Sequence, residues 1–147
     1  MKAWLQRVES ASVSVDGETV ADIGRGLLVL LGVAHGDTEA AAAKIAERIV
    51  ALRMFEDGDG KTNLSVCDIG GSVIVVSQFT LYADTAHGRR PGFSGAARPD
   101  VAEPLYLDVV GRLRGALGAD RVQTGRFGAH MKVSMVNDGP FSLEVTA

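Results

Sequence analysis

Apolar positions recur along this chain in two rhythms, and the change from one to the other marks its elements. Residues 3–15 alternate loosely around Trp4, Val8, Val13 and Val15; Asp16-Gly17 followed by Glu18-Thr19-Val20 then reads as a hairpin, so two antiparallel strands are predicted at the start. Residues 27–33 are continuously apolar between Gly24-Arg25-Gly26 and His35-Gly36-Asp37, the pattern of a central strand covered on both faces. The rhythm then becomes helical. Asp37 or Thr38 can cap a helix reaching Arg53, with Ala42, Ile45, Ile49 and Leu52 on one stripe. Asp57-Gly58-Asp59-Gly60 lacks the terminal Glu and the ligand ladder of a calcium loop and is read as a turn. A strand over 72–81 follows Gly70-Gly71, and a loop rich in Gly, Arg and Pro runs over 83–99 with Phe93 as its anchor. A second helix is predicted over 100–117, with Val101, Leu105, Val109 and Leu113 at four-residue steps, Pro104 near its start and Gly118 as its stop. Strands near 121–124, 131–137 and 141–146 complete the chain. The order ββ(β)αβαβββ predicts an α+β fold over residues 1–147 as a single domain: a mostly antiparallel, curved or barrel-like sheet with two main helices packed against it.

Polar residues break this pattern in two places. Val73 to Val76 is a β-branched run that predicts a buried strand, and Ser77, Gln78 and Thr80 stand at its end, where polar groups must be paired or employed. Asn137-Asp138-Gly139-Pro140 is the other. An X-Pro bond prefers trans by only ~0.5–1 kcal/mol, so a fold can hold it cis and aim two carbonyls the same way.

At 147 residues the chain is long enough to bury roughly two thirds of its unfolded surface and to hold a preformed pocket. A formal charge of −3 and a pI near 5.6 exclude a generally basic nucleic-acid binder, so any RNA contact has to be local. Two basic groups qualify, Arg89, Arg90 and Arg98 in the 87–98 segment and Arg112, Arg114, Arg121 and Arg126 beyond it; the plain reading of both is a solvated surface. Cys67 is alone, which excludes an internal disulfide and a Cys-based metal site; with no signal peptide and no run of membrane-span length, the cytosol is favoured. His35, His87 and His130 fit no zinc spacing, and neither a metal nor a cofactor is predicted. Ser77 is not in a GxSxG elbow and has no neighbouring His or acid, which argues against a triad.

Seven segments in register give the chain its resemblance to the D-aminoacyl-tRNA deacylase family: Gln6-Arg7-Val8 with Ala11-Ser12-Val13, GLLVLLG at 26–32, KTNL at 61–64, GSVIVVSQFTL at 71–81, RPGFS at 90–94, TGRFGAHM at 124–131 and NDGP at 137–140. The resemblance implies metal-independent hydrolysis of the ester joining a D-amino acid, or glycine as mischarged on tRNA-Ala, to the 3′-terminal adenosine of tRNA. It implies a homodimer in which Gly139 and Pro140 of one subunit enter the pocket of the other and exclude L side chains. It places catalysis on the backbone of Phe79 and Thr80 and on the substrate's 2′-hydroxyl, with Thr80 in the site but not covalent. It gives Gln78 the orientation of the adenosine or of the Pro140 loop, places Ser77 and Met131 against the substrate, and lets Arg7 lock the Gly-Pro carbonyls. Phe141-Ser142 departs from the family's small aliphatic residue and Thr, and an aromatic there resembles an animal relative of relaxed chirality. A relaxed-chirality deacylase, a nucleic-acid-binding module without chemistry and a triad hydrolase stay open as rival readings.

Overall fold

The computed structural model describes residues 1–147. Its elements are β1 (Lys2–Val15), β2 (Glu18–Ile23), β3 (Gly26–Gly32), α1 (Glu39–Ala51), β4 (Arg53–Glu56), β5 (Thr62–Ser65), β6 (Ser72–Ser77), a 3-10 turn (Phe79–Tyr82), α2 (Pro99–Leu117), β7 (Val122–Thr124) and β8 (Lys132–Thr146). The main sheet runs β2-β1-β3-β6-β7, with β8 laid along the other side of β1. Its first and last strands nearly meet: the Gln123 side chain on β7 accepts from Asp22 N–H at 2.7 Å and donates to Asp22 carbonyl at 2.7 Å on β2. The sheet is therefore curved and barrel-like, as the strand pattern predicted.

The continuous apolar strands explain how one sheet has two cores. Successive side chains point to opposite faces, so Leu27, Val29, Leu31, Val73 and Val75 join the larger core with α1 and α2, while Leu28, Ile74 and Val76 join Val8, Val13 and Ile23 on the inner face. Leu27 and Leu28 are both fully buried, each contributing roughly 1.5–3 kcal/mol. The sheet is mixed: β1 pairs antiparallel with β2, β3 and β8, whereas β3–β6 and β6–β7 are parallel. The parallel part follows from chain order, because α1 and α2 each intervene before the next inner strand returns.

Several boundaries differ from the sequence reading. α1 ends at Ala51, and 53–65 holds the β4–β5 hairpin, whose strands are short and were not anticipated. Its turn is organised by Asp57, whose carboxylate accepts from Asp59 N–H, Lys61 N–H and Asn63 Nδ2, each at 3.0 Å. Thr38 occupies the position before α1 but makes no capping bond. On α2, Val101 faces solvent and the buried stripe is Leu105, Tyr106, Val109, Val110, Leu113 and Leu117. The last two predicted strands are one, β8, which runs through 138–140 because β1 pairs with it on both sides of a shifted register. Gly139-Pro140 within it is cis. No helix is long and apolar enough to cross a membrane.

Candidate active site

The predicted strand over 72–81 stops at Ser77, and its polar end folds into the 3-10 turn. Gln78 N–H still reaches Leu31 carbonyl at 2.8 Å, extending the β3 ladder by one bond, after which Leu81 N–H turns back to Gln78 carbonyl at 3.4 Å. The turn fits only because Gly32 has no side chain: a Cβ there would lie 3.0 Å from Gln78 carbonyl oxygen, 3.2 Å from the Tyr82 ring and 3.3 Å from Leu81 Cβ. The N–H groups that open a helical turn lack an acceptor within it, and those of Phe79 and Thr80 open this one. Gln78 Nε2 donates a short hydrogen bond to Thr80 Oγ1.

Beside this turn lies a cavity of about 580 Å³, lined by 18 residues of which 13 are hydrophobic, a size and character suited to a nucleoside. Ser77, Gln78, Phe79 and Met131 line it, so four of the predicted residues come together. Thr80 is exposed at the rim and is not part of the lining; it meets the site through Gln78. Gly139, Pro140 and Arg7 lie outside the cavity. The predicted residues therefore fall into two groups, four lining the cavity and Gly139, Pro140 and Arg7 lying apart from it.

Arg7 is neither a free surface cation nor bonded to the Gly139 or Pro140 carbonyl. It is 6 % exposed; Nε donates to Asp138 carbonyl at 3.1 Å and pairs with the Asp138 carboxylate at 3.1 Å, and a terminal nitrogen donates to Met54 carbonyl at 2.7 Å. Its guanidinium carbon lies 4.8 Å from the centre of the half-buried Phe141 ring. Arg7 thus fixes the peptide just before Gly139, a correction of one residue to the expected contact. Asn137 Oδ1 accepts from Phe141 N–H at 3.0 Å, bracing the segment from the other side.

Sequence reasoning missed the far wall. Tyr106 and Phe127 line the cavity with ring centroids 5.6 Å apart, and Tyr106 hydroxyl donates to Val75 carbonyl at 2.9 Å. Burial pushes the Tyr106 phenol up to about 12, with a Thr124 hydrogen bond opposing it. Tyr106 follows Leu105 in a helical stripe and reads as core; only its hydroxyl in an apolar run hinted at more. Phe93 and His130 also line the cavity, and Phe93 packs edge-on to Phe79 with centroids 5.0 Å apart. His35, His87 and His130 do not converge, and no group of three His, Cys, Asp or Glu side chains is placed to hold a metal. Three of the four arginines in the second basic group are paired within the chain: Arg112 with Asp108 at 3.0 Å, Arg114 with Val122 carbonyl at 3.3 Å and Arg126 with Glu18 at 3.9 Å, while Arg121 has no such partner.

Fold and site together define a hydrolase of the deacylase class. Residues 4–146 match the family described as D-Tyr-tRNA(Tyr) deacylase, and the chain belongs to that family. Relatives named D-aminoacyl-tRNA deacylase include one from Symbiobacterium thermophilum, 56 % identical over 97 % of this chain and 93 % of its own length, and one from Marinobacter nauticus, 54 % identical over 98 % and 94 %. A solved structure described as c-Myc DNA Unwinding Element Binding Protein superposes with a TM-score of 0.95 at 40 % identity, covering 100 % of this chain and 99 % of that one. Another, described as a probable eukaryotic D-amino acid tRNA deacylase, shares the fold at TM-score 0.84 and 19 % identity, covering 99 % and 98 %.

Proposed function

We propose that this chain hydrolyses the ester between a D-amino acid, or glycine, and the 3′-terminal adenosine of tRNA, as a homodimer. The observation that carries this reading is the 3-10 turn at Phe79–Tyr82, which sets main-chain donors beside an apolar cavity of about 580 Å³ in a chain of this family. The adenosine enters the cavity and the ester carbonyl lies against the turn. Water attacks the carbonyl carbon, the bond from that carbon to the ribose oxygen breaks, and the departing oxygen takes the proton. The N–H groups of Phe79 and Thr80 receive the developing oxyanion, and the neighbouring ribose hydroxyl assists. An aminoacyl ester is already activated, so positioning and oxyanion stabilisation suffice without a side-chain nucleophile.

Chirality is read by Gly139 and Pro140 of the second copy, whose carbonyls face the substrate's amino group and leave no room for an L side chain; a hydrogen fits, so glycine passes. Two features support the shared site. Gly139 and Pro140 are exposed and outside their own chain's cavity. β8 pairs only with β1, leaving its other edge open beside exposed Val133, Met135, Val136 and Leu143, and an apolar edge of this kind calls for a partner.

Purified protein is expected to release D-Tyr and Gly from charged tRNA while sparing L-Tyr, with turnover insensitive to chelator and a dimer mass by light scattering. Equal cleavage of D- and L-Tyr-tRNA would refute chiral selection, and binding of charged and uncharged tRNA without hydrolysis would favour a binding module.

A further inference from the structure

The loop over 85–91 is a basic segment that neither lines the cavity nor joins the core. Asp84 and Gly92 exchange both main-chain hydrogen bonds, at 2.7 and 2.8 Å, and so close the loop at its root. The next residue, Phe93, lines the cavity and packs on Phe79. The root is thereby fixed to the rim of the site, and about three residues on either side let the tip reach roughly 10 Å beyond it.

Arg89 and Arg90 follow Gly88, the midpoint of that loop, and are exposed with no ion pair or hydrogen bond. Of the nine other arginines, four have carboxylate partners (Arg7 with Asp138, Arg98 with Asp100, Arg112 with Asp108, Arg126 with Glu18), Arg48, Arg53 and Arg114 donate to Thr146 carbonyl, Asn63 Oδ1 and Val122 carbonyl, and only Arg25 and Arg121 share the lack of either. The only acid in 84–95 is Asp84, and its carboxylate accepts from Ala86 N–H at 2.9 Å. In a molecule of net charge −3, two unpaired guanidinium groups on a loop rooted at the cavity rim form a local field opposite to the average. The planar fork of each matches a phosphate. Between loop and cavity lie Phe79 and Phe93, 56 % and 37 % exposed, a surface on which an unstacked base of a single strand can lie.

We propose that Arg89 and Arg90 clamp the phosphates of the nucleotides just before the terminal adenosine, holding the tRNA 3′ end while its aminoacyl-adenosine occupies the cavity. The inference rests on the deacylase reading above and adds a contact for the RNA strand outside that cavity. Because the contact is to backbone phosphate, it is independent of base sequence.

The test compares two substrates, D-Tyr-tRNA and D-tyrosyl-adenosine, which carries the ester and nucleoside but no phosphate. For Arg89→Ala/Arg90→Ala, KM for D-Tyr-tRNA should rise with kcat unchanged, and the slope of log kcat/KM against log salt should become shallower by about 1.5, the loss of two phosphate contacts. Turnover of D-tyrosyl-adenosine should stay at the wild-type value, and Arg89→Lys/Arg90→Lys should restore most of the salt slope. An unchanged salt slope, or an equal loss on both substrates, would overturn the clamp while leaving the deacylase reading intact. Failure of the wild-type chain to cleave either substrate would overturn both.

Discussion

Replacing Gly32 with alanine adds one carbon where β3 abuts the 3-10 turn at Phe79–Tyr82, to which the proposed mechanism assigns the oxyanion donors, and the consequence can be worked from distances. The new Cβ would lie 3.0 Å from Gln78 carbonyl oxygen, 3.2 Å from the Tyr82 ring and 3.3 Å from Leu81 Cβ. Comfortable separations begin near 3.5 Å, so the turn has to retreat by about 0.3–0.5 Å. It cannot do so freely, because Gln78 N–H is tied to Leu31 carbonyl at 2.8 Å on the same strand. Overpacking of this kind costs about 1–3 kcal/mol, which in a chain of this length lowers the melting midpoint by roughly 2–4 °C per kcal/mol. A misplacement of about 1 Å can cost on the order of 100-fold in rate, so a third to a half of that predicts a kcat loss of roughly five- to tenfold. KM should change less than kcat, since most of the cavity lining lies outside the displaced segment. Single-turnover hydrolysis of D-tyrosyl-adenosine, read beside thermal melting, separates the two effects. Gly111→Ala is the control: nothing lies within 4 Å of its added Cβ on the open face of α2, and it should stabilise the helix by up to ~1 kcal/mol with no change in rate. A Gly32→Ala protein with a lowered melting midpoint and wild-type kcat would refute the claim that the turn's placement matters to catalysis.

Arg7→Ala leaves the Met54 and Asp138 carbonyls without their donor in a site that is 6 % exposed, and should cost about 2–4 kcal/mol in urea unfolding; a change under 1 kcal/mol would show that water replaces it. Tyr106 ionises at about 12 in the folded chain against about 10 unfolded, so between these pH values the unfolded state has lost a proton that the folded state keeps. Its contribution is complete below pH ~10 and falls by up to about 3 kcal/mol as pH rises through 12; Tyr106→Phe should lack that part of the slope, and identical pH profiles would contradict it. At neutral pH the same variant should cost only about 1 kcal/mol, because Val75 carbonyl keeps Gly125 N–H at 3.0 Å. Thr80→Ala should retain kcat within about tenfold of wild type, as the exposed hydroxyl lies outside the cavity; abolished turnover with an unchanged circular dichroism spectrum would assign Thr80 a covalent or acid-base role.

The elements were legible where one physical signal dominated. Continuous apolar runs located β3 and β6, which are buried on both faces, and period-3.6 stripes located α1 and α2. What was hidden depended on contacts between distant segments. The β4–β5 strands are four residues each, too short to show a period, and their hairpin is organised by Asp57 accepting three hydrogen bonds. The break at Ser77 was invisible because residues 78–81 keep a strand-like composition, and the 3-10 turn forms only against Gly32 of another strand. Val101 matches the apolar spacing of α2 yet faces solvent, since stripe position alone does not say where the neighbouring layer ends.

The same distinction divides the site. Ser77, Gln78 and Thr80 were readable as polar residues at the end of a buried strand, and Phe79 only through the family resemblance; the cavity lies there, lined by Ser77, Gln78 and Phe79 but not by Thr80. Tyr106 and Phe127 come from α2 and from the segment after β7, and nothing in either segment alone points to the other; Tyr106 reaches the cavity because α2 packs on β6, where its hydroxyl meets Val75 carbonyl, and Phe127 because β7 pairs parallel to β6 and carries the chain past the end of that strand. Arg7 shows why a motif gives a residue before it gives a contact. Its place in β1 is fixed opposite the register shift in β8, between the Gln6–Ser142 and Val8–Asn137 pairs, so its side chain meets the peptide preceding Gly139 rather than the Gly-Pro carbonyls. Those two carbonyls are thereby left without an Arg7 bond, and if they are to read a substrate in a second copy, that is the condition they require.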